Sequence, residues 1–116
     1  NELSGGMQKR VGIARAIALS PSYLFCDEPN SGLDPYTSIV IDELISNLTK
    51  EFNMTTVVNT HDMNSILEIG DKIAFMYQGS LLWQGDKNTI LNADCAELRE
   101  FICANTLARN IIEGRG

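Results

Sequence analysis

The amino-acid sequence predicts an α/β fold in which a mostly parallel sheet is flanked by helices and a late pair of strands runs antiparallel. Apolar residues recur at helical spacings in several segments, and short apolar or β-branched runs lie between those segments. Strands that alternate with helices in this way are typical of parallel sheets. The 116 residues, 44% of them hydrophobic, are enough for one globular core and too few for two.

A first helix is predicted over residues 7–19, and a strand follows it. The helix has apolar residues at helical spacings, namely Met7, Val11, Ala14, Ile17 and Ala18. The dipeptide Ser20-Pro21 ends the helix, because the residue before a proline disfavours helical geometry. Residues 23–26 form a continuously apolar run before two acidic residues, which favours a strand buried on both faces of a parallel sheet.

A second helix begins after Asp34, an N-cap residue followed by proline at the first helical position. Its apolar stripe comprises Ile41, Leu44, Ile45, Leu48 and Phe52. The β-branched residues 55–59 predict the second strand, which breaks at polar residues. Asp62 then caps a short helix that Gly70 terminates.

The C-terminal part is predicted to form a hairpin followed by two helical pieces. Residues 72–77 and 81–84 predict two strands around a turn at Gln78-Gly79. The helical pieces follow Asp86, and the second has Leu98, Phe101 and Ile102 on one face. The last residues, 112–116, match a protease-cleavage site used in expression vectors, so we expect a vector remnant and exclude it from functional reasoning.

Composition narrows the function classes. The net charge of -6 disfavours nucleic-acid binding, which normally needs a surplus of Lys and Arg. A site for a polyanion in this chain must therefore use helix N-termini, backbone N–H groups or a metal ion. Three cysteines without a C-x-x-C pair favour a reducing, cytoplasmic setting over disulfides or structural zinc. No apolar run is long enough to span a bilayer, so any work at a membrane would require docking to a spanning partner.

Residues 3–8 are a candidate phosphate-binding segment. Gly5 and Gly6 precede a helix whose first N–H groups have no helical acceptor, and the Ser4 hydroxyl adds another donor. The alternative is a plain helix N-cap by Ser4 with a flexible glycine lead-in.

Asp27 and Glu28 are candidate catalytic carboxylates at the C-terminal end of the first strand, where ligands bind in open α/β sheets. Adjacent residues of an extended chain point in opposite directions, so the two carboxylates can do different work. One can hold Mg²⁺ and the other can deprotonate an attacking water. The alternative is an acidic loop in which Asp27 caps a turn.

His61 lies at the end of the second strand, and we expect it at the same sheet edge as Glu28. There it could donate a hydrogen bond to a terminal phosphate. The alternative is a structural histidine, since a lone histidine is more often structural than catalytic. The segment 31–34 has a simpler explanation, because Asp34 is accounted for as a helix cap.

Four segments together resemble the ATPase subunits of ABC transporters. Residues 3–10 resemble the signature motif, residues 24–29 the Walker B strand with its adjoining glutamate, residues 31–34 the D-loop and residues 59–62 the switch-histidine loop. They occur in the family's order, and the similarity extends to about Phe101. The resemblance implies that residues 1–116 are the C-terminal half of an ABC ATPase domain of the P-loop NTPase class.

The resemblance also implies a second ATPase subunit packed head to tail. Ser4, Gly5 and Gly6, with Gln8 in the same segment, would bind the ATP held by that partner. Asp34 would communicate across the dimer.

Within the chain's own site, the resemblance implies that Asp27 binds Mg²⁺ through water, that Glu28 is the general base and that His61 contacts the γ-phosphate. Closure around ATP and reopening after hydrolysis would drive transmembrane permease subunits, from the cytoplasmic face of the inner membrane.

One family motif is absent from these 116 residues. The P-loop pattern G-x-x-x-x-G-K-[ST] does not occur, and we expect it upstream of Asn1. The chain by itself is therefore expected to be inactive towards ATP. We also expect it to self-associate, because the sheet would have unpaired edges and uncovered apolar surface. A smaller departure is Asn30, which stands where threonine is common.

Several identities for the transporter remain open at the level of sequence. Residues 9–18 and the short C-terminal end look most like ATPases of lipid-transporting systems that maintain outer-membrane asymmetry. The alternative is an importer of amino acids or another small solute. A DNA-repair or chromosome ATPase is disfavoured by the acidic balance and by the absence of heptads. A non-catalytic interaction module is disfavoured by the carboxylate pair.

Overall fold

The structure, a computed structural model, describes the backbone of residues 4–112 and the side chains of residues 4–105. The chain divides into two compact units, Asn1–His61 and Asp62–Gly116. The predicted order of elements is found in the described residues: α1 Gly5–Ile17, β1 Tyr23–Asp27, α2 Pro35–Glu51, β2 Thr55–Asn59, α3 Met63–Ile69, β3 Ile73–Tyr77, β4 Ser80–Gly85, a 3₁₀ helix Ile90–Asn92 and α4 Ala96–Ile112. Leu3 and residues 113–116 of the predicted tail lie outside the described residues.

Helix α1 begins and ends two residues earlier than predicted, at Gly5 and Ile17. Its N-cap is Ser4, whose Oγ accepts a hydrogen bond from the Met7 N–H at 3.1 Å. A capped first turn tolerates glycine, because the cap supplies an acceptor that the helix itself lacks. The capping alternative for Ser4 is therefore found in the structure.

Strands β1 and β2 are parallel and in register, with Tyr23 opposite Thr55 and Asp27 opposite Asn59. Helix α2 lies against one face of this pair, where the Thr49 and Thr56 hydroxyl oxygens are 2.6 Å apart. The buried apolar residues of this unit are Ile13, Leu24, Ile41, Ile45 and Met54. Both strands consequently end at the same edge of the sheet.

The prediction that the first strand is buried on both faces is wrong for this structure. Leu24 is buried, whereas Tyr23 is 64% exposed and Phe25 is 73% exposed, and Val57 beside Phe25 is also exposed. Side chains alternate between the two faces of a strand, and within the described residues a helix covers the Leu24 face only. One apolar face of the pair is therefore open.

Helix α2 begins at Pro35, as predicted, and buries Ile41 and Ile45 on its inner side. Phe52, predicted to belong to the same stripe, is exposed. The reason is that the helix ends at Glu51 and Phe52 is its C-cap, where the helical period no longer directs the side chain inward.

In the second unit, α3 begins and ends at the predicted residues. The Asp62 carboxylate accepts from the Asn64 N–H at 2.9 Å, and the Gly70 N–H bonds to the Ile66 carbonyl. Gly70 has a φ of -77°, so its role is not a left-handed cap. A Cβ there would lie 2.5 Å from the Ile66 carbonyl oxygen, which means that glycine is required for close approach.

Strands β3 and β4 form the predicted antiparallel hairpin. Gln78 and Gly79 both have positive φ, 48° and 80°, as the central residues of a type I′ turn do. The buried core of this unit comprises Met63, Ile73, Ile90, Ala93 and Leu98. Phe101 and Ile102 pack against it, which confirms the predicted inner face of α4. Every helix in the described part of the chain is too short or too polar to cross a membrane.

The open face of β1 and β2 leads to a test of self-association. We expect the 116-residue chain to associate in solution, and Phe25→Thr with Val57→Thr to lower its average mass in size-exclusion chromatography with light scattering. Threonine retains strand propensity while removing apolar area. The control is Met76→Thr with Leu81→Thr, which changes two exposed apolar residues of the β3–β4 hairpin. A wild-type chain that stays monomeric over a range of concentrations contradicts the prediction.

Candidate active site

The carboxyl ends of β1 and β2 meet at Asp27 and Asn59. The Asn59 Nδ2 donates to Asp27 Oδ1 at 2.7 Å, and this fixes one oxygen of an exposed carboxylate. The neighbouring Cys26 is half-buried on the opposite face, and burial raises the pKa of its thiol. A thiol with a raised pKa stays protonated at neutral pH, so the reactive groups of this edge are the carboxylates.

Glu28 leaves the strand in a left-handed backbone conformation, with a φ of 47°. Its N–H donates to the Asn59 carbonyl at 2.7 Å, which extends the strand pairing by one bond. A left-handed conformation at a residue other than glycine costs on the order of 1–3 kcal/mol and persists where neighbouring contacts fix it. The chain thus turns sharply at the residue predicted to be the base.

The structure places His61 against Glu28, with Nδ1 2.7 Å from Oε1. The Thr60 hydroxyl lies 3.5 Å from the second carboxylate oxygen, Oε2. The Glu28 side chain is 32% exposed and that of His61 is 78% exposed. A contact this open to solvent adds at most about 1 kcal/mol to stability even when the imidazole is protonated, so its significance lies in its orientation of the carboxylate.

The hydrogen bond to Glu28 restricts what His61 can do at the same time. An ionised carboxylate only accepts, so Nδ1 must carry the proton. In the neutral imidazole Nε2 is then an acceptor, which cannot bond to an unprotonated phosphate oxygen. Donation to a phosphate from Nε2, while Nδ1 holds Glu28, requires the doubly protonated imidazolium.

Asp34 is engaged as the N-cap of α2. Its Oδ2 accepts from the Thr37 N–H at 3.1 Å and its Oδ1 accepts from the Thr37 hydroxyl at 2.5 Å. The Thr37 hydroxyl, and next its backbone N–H, hold the pKa of this exposed carboxyl below its ordinary value of 3.8. The capping role is visible in the structure, and a role across a dimer remains a prediction.

The signature segment packs against the start of α2. A Cβ at Gly6 would lie 2.8 Å from Thr37 Cγ2, and one at Gly5 would lie 3.0 Å from Leu33 Cδ2. Glycine therefore permits close packing within the chain at these positions, since a larger residue would make Leu33 or Thr37 shift, and the sequence alone did not reveal this reason. Gln8 is exposed, and its N–H donates to the Ser4 carbonyl. The Ser4 hydroxyl accepts from Met7 and can still donate its own proton.

The predicted residues thus form two groups. Asp27, Glu28 and His61 meet at the sheet edge, while the segment from Ser4 to Gln8 packs near the Asp34 cap. Sequence reasoning assigned no role to Asn59 or Thr60, although both lie in the predicted histidine loop. Strand register could have indicated the role of Asn59, because the last residues of two parallel strands of five residues each pair with each other.

Mg²⁺ can be tested against this donor set. In the described residues, His, Cys, Asp and Glu nowhere gather in groups of three or more that could hold a metal ion. Asp27 offers one carboxylate oxygen beyond the one that Asn59 holds. Proteins commonly hold Mg²⁺ through one or two carboxylates together with waters and phosphates of the substrate. The site therefore fits a Mg²⁺ that arrives with a nucleotide.

Comparison with known proteins gives the family. The family model described as ABC transporter matches residues 1–31. The phosphate import ATP-binding protein PstB of Colwellia psychrerythraea is 49% identical over 88 residues, which cover 76% of this chain and 31% of that protein. The methionine import ATP-binding protein MetN of Staphylococcus saprophyticus is 47% identical over 90 residues, 78% of this chain and 26% of MetN. The chain is part of an ABC transporter ATP-binding domain.

A solved structure shares the fold of this ABC domain. It is described as the dimeric structure of a post-hydrolysis state of the ATP-binding cassette MJ0796 bound to ADP and Pi. The match has a TM-score of 0.65 and 38% sequence identity, and it covers 75% of this chain and 37% of that chain. The predicted α/β class, part of a P-loop NTPase domain, is confirmed.

The comparisons bear differently on the two predicted kinds of transporter. The chain spans less than a third of the length of PstB and MetN, and both of those proteins are named for import of a small solute. The prediction of the ABC family is confirmed, whereas its narrower form, transport of lipids, has no support from these relatives. They favour the importer alternative.

The lowered pKa of Asp34 leads to a test of the α2 cap. Folding lowers the pKa, so the carboxylate stabilises the chain above its ordinary value of 3.8, and this stabilisation is lost as the pH falls through the lowered value. We expect Asp34→Asn to unfold at lower urea concentration than wild type near pH 7, with a difference that narrows as the pH falls below 3.8. The control Asp71→Asn makes the same charge change at an exposed residue outside any helix cap. A difference that stays constant with pH contradicts the assignment.

Proposed function

We propose that the protein containing this chain hydrolyses ATP as the ATP-binding subunit of an ABC transporter. One observation carries the proposal. A carboxylate held 2.7 Å from an imidazole stands beside a second carboxylate at the carboxyl edge of two parallel strands. Such an edge is where open α/β sheets bind ligands. The paired groups are those that water activation needs.

In this proposal Glu28 is the general base. His61 occupies Oε1 and thereby orients the carboxylate, and Oε2, which the Thr60 hydroxyl approaches only to 3.5 Å, takes a proton from an attacking water. Asp27, held by Asn59, would bind Mg²⁺ through water, and the ion would neutralise charge that develops on the phosphates. His61 would contact the γ-phosphate through Nε2. It would do so as the imidazolium, because Nδ1 already donates its proton to Glu28 and Nε2 needs a proton of its own to donate.

The α1 N-terminus would serve a nucleotide held by a second ATPase subunit. The Ser4 hydroxyl and the first N–H groups of the helix, at Gly5 and Gly6, are donors suited to a phosphate oxygen, and Gln8 adds an exposed amide side chain one turn later. Asp34 lies at the neighbouring helix start and would relay contact between the two subunits. A head-to-tail dimer agrees with the dimeric description of the related ATP-binding cassette.

The proposed cargo is a small solute that is imported. This proposal rests on the names of two relatives, the phosphate import protein PstB and the methionine import protein MetN. The subunit would dock on transmembrane permease subunits at the cytoplasmic face of the membrane, with a P-loop in the part of the protein outside this chain. Closure on ATP and reopening after hydrolysis would drive the permease between two conformations.

The role of Glu28 is tested by Glu28→Gln in the full-length protein. We expect hydrolysis, measured as phosphate release, to fall by at least about 100-fold because the amide cannot accept the proton from water. Binding of ATP, measured with a fluorescent analogue, should change little. The control Glu51→Gln removes an exposed carboxylate at the end of α2. Normal turnover by Glu28→Gln would mean that another group is the base.

The cargo class is tested with the assembled transporter in proteoliposomes. We expect ATP-dependent uptake of labelled phosphate or labelled methionine, with loss of uptake in the Glu28→Gln variant. Labelled phospholipid supplied in the opposing membrane is the matched comparison. Glu28-dependent movement of the phospholipid, without uptake of either solute, would overturn the importer proposal and leave the proposal of ATP hydrolysis intact.

A further inference from the structure

A buried polar pair joins the loop after Glu28 to helix α2. Asn30 Nδ2 donates to Asp42 Oδ1 at 2.9 Å, across 12 positions of sequence. Asp42 is 3% exposed and Asn30 is 8% exposed. Burial of a carboxylate is costly unless hydrogen bonds compensate it, so a pair this deep constrains where the loop can lie.

The pair holds the middle of a loop that is also fixed at both ends. At the start, the Glu28 N–H bonds to the Asn59 carbonyl, and at the end Asp34 caps α2. Between these points the Ser31 N–H donates to the Glu28 carbonyl at 3.1 Å, and the Leu33 N–H donates to the Asn30 carbonyl at 3.1 Å. The side chain of Asn30 anchors these two consecutive turns to α2.

We infer that Asn30 and Asp42 are positioning residues for ATP hydrolysis, because their hydrogen bond fixes the backbone from which Glu28 presents its carboxylate to His61. The inference rests on the proposed function. Glu28 is in a left-handed conformation that persists only under constraint, and Asn30 lies two residues beyond it. The hydrogen bond between Asn30 and Asp42 does not include Glu28, so its effect on Glu28 is exerted through the loop.

The inference differs from a purely structural role in what it predicts. If the pair only stabilised the first unit, its loss would lower stability without a specific effect on catalysis. A positioning role instead requires that the turnover number falls while ATP binding is retained. Misplacement of a catalytic group by about 1 Å costs up to about 100-fold in rate, so a large loss is measurable even in a folded variant.

The experiment exchanges the amide of Asn30 and the carboxylate of Asp42 in the full-length protein. Asn30→Asp sets two carboxylates against each other in a buried site, and we expect kcat to fall about tenfold or more while KM for ATP stays within about twofold. Adding Asp42→Asn to that variant restores one amide and one carboxylate with the positions reversed, and should recover most of kcat. Asn30→Ala removes the donor without adding a charge and should lower kcat in the same way.

Two measurements separate positioning from stability. Hydrogen–deuterium exchange of the peptide spanning residues 28–34 should speed up in Asn30→Asp and slow again in the double variant. The control Ile45→Val removes a methylene from the buried side of α2. It should lower the melting temperature without changing kcat or the exchange of that peptide.

Each outcome decides the inference. Wild-type kcat and exchange in Asn30→Ala, or a double variant no better than Asn30→Asp, overturns the positioning role and leaves the proposed function standing. A loss of kcat in Ile45→Val equal to that in Asn30→Ala also overturns it, because stability would then explain both. Hydrolysis that does not depend on Glu28 in the otherwise wild-type protein overturns the proposed function and, with it, this role.

Discussion

The parallel pairing of β1 with β2 is the constraint on which the candidate site depends. The register places Asp27 opposite Asn59, and the next bond joins the Glu28 N–H to the Asn59 carbonyl. His61 follows Asn59 by two residues and so meets the Glu28 carboxylate. A slip of one residue would shift β2 by roughly 3.3 Å and turn its side chains to the opposite face, which would separate these groups. The proposed chemistry therefore depends on the register of β1 and β2.

Much of this arrangement could be predicted from the sequence because the signals are local. Asp34 followed by Pro35 marks the start of α2, and β-branched residues mark β2. Parallel strands present their carboxyl ends at one edge, so polar residues that follow two such strands come together without knowledge of any contact. The meeting of Glu28 and His61 follows from that rule and the equal lengths of the strands.

The features that escaped prediction depend on contacts between distant segments. The exposure of Phe25 depends on which layers cover the strand, and a run of apolar residues does not show which of its faces are covered. Gly6 is tight against Thr37, and Asn30 reaches Asp42, in each case because two elements pack closely. Thr37 and Asp42, the two partners on α2, belong to no periodic pattern or short motif. Sequence reasoning interpreted the glycines through ligand approach, whereas the structure also shows an intramolecular reason for them.

The left-handed backbone of Glu28 cannot be stabilised chiefly by the attraction of its side chain to His61. That pair is open to solvent, and an exposed ion pair contributes less than the approximate 1–3 kcal/mol cost of a left-handed backbone at a residue other than glycine. The difference must be made up by bonds that water does not weaken as much, such as the backbone bond to Asn59 and the buried bond between Asn30 and Asp42. The fold thus fixes the backbone of Glu28, and the contact with His61 then orients the carboxylate.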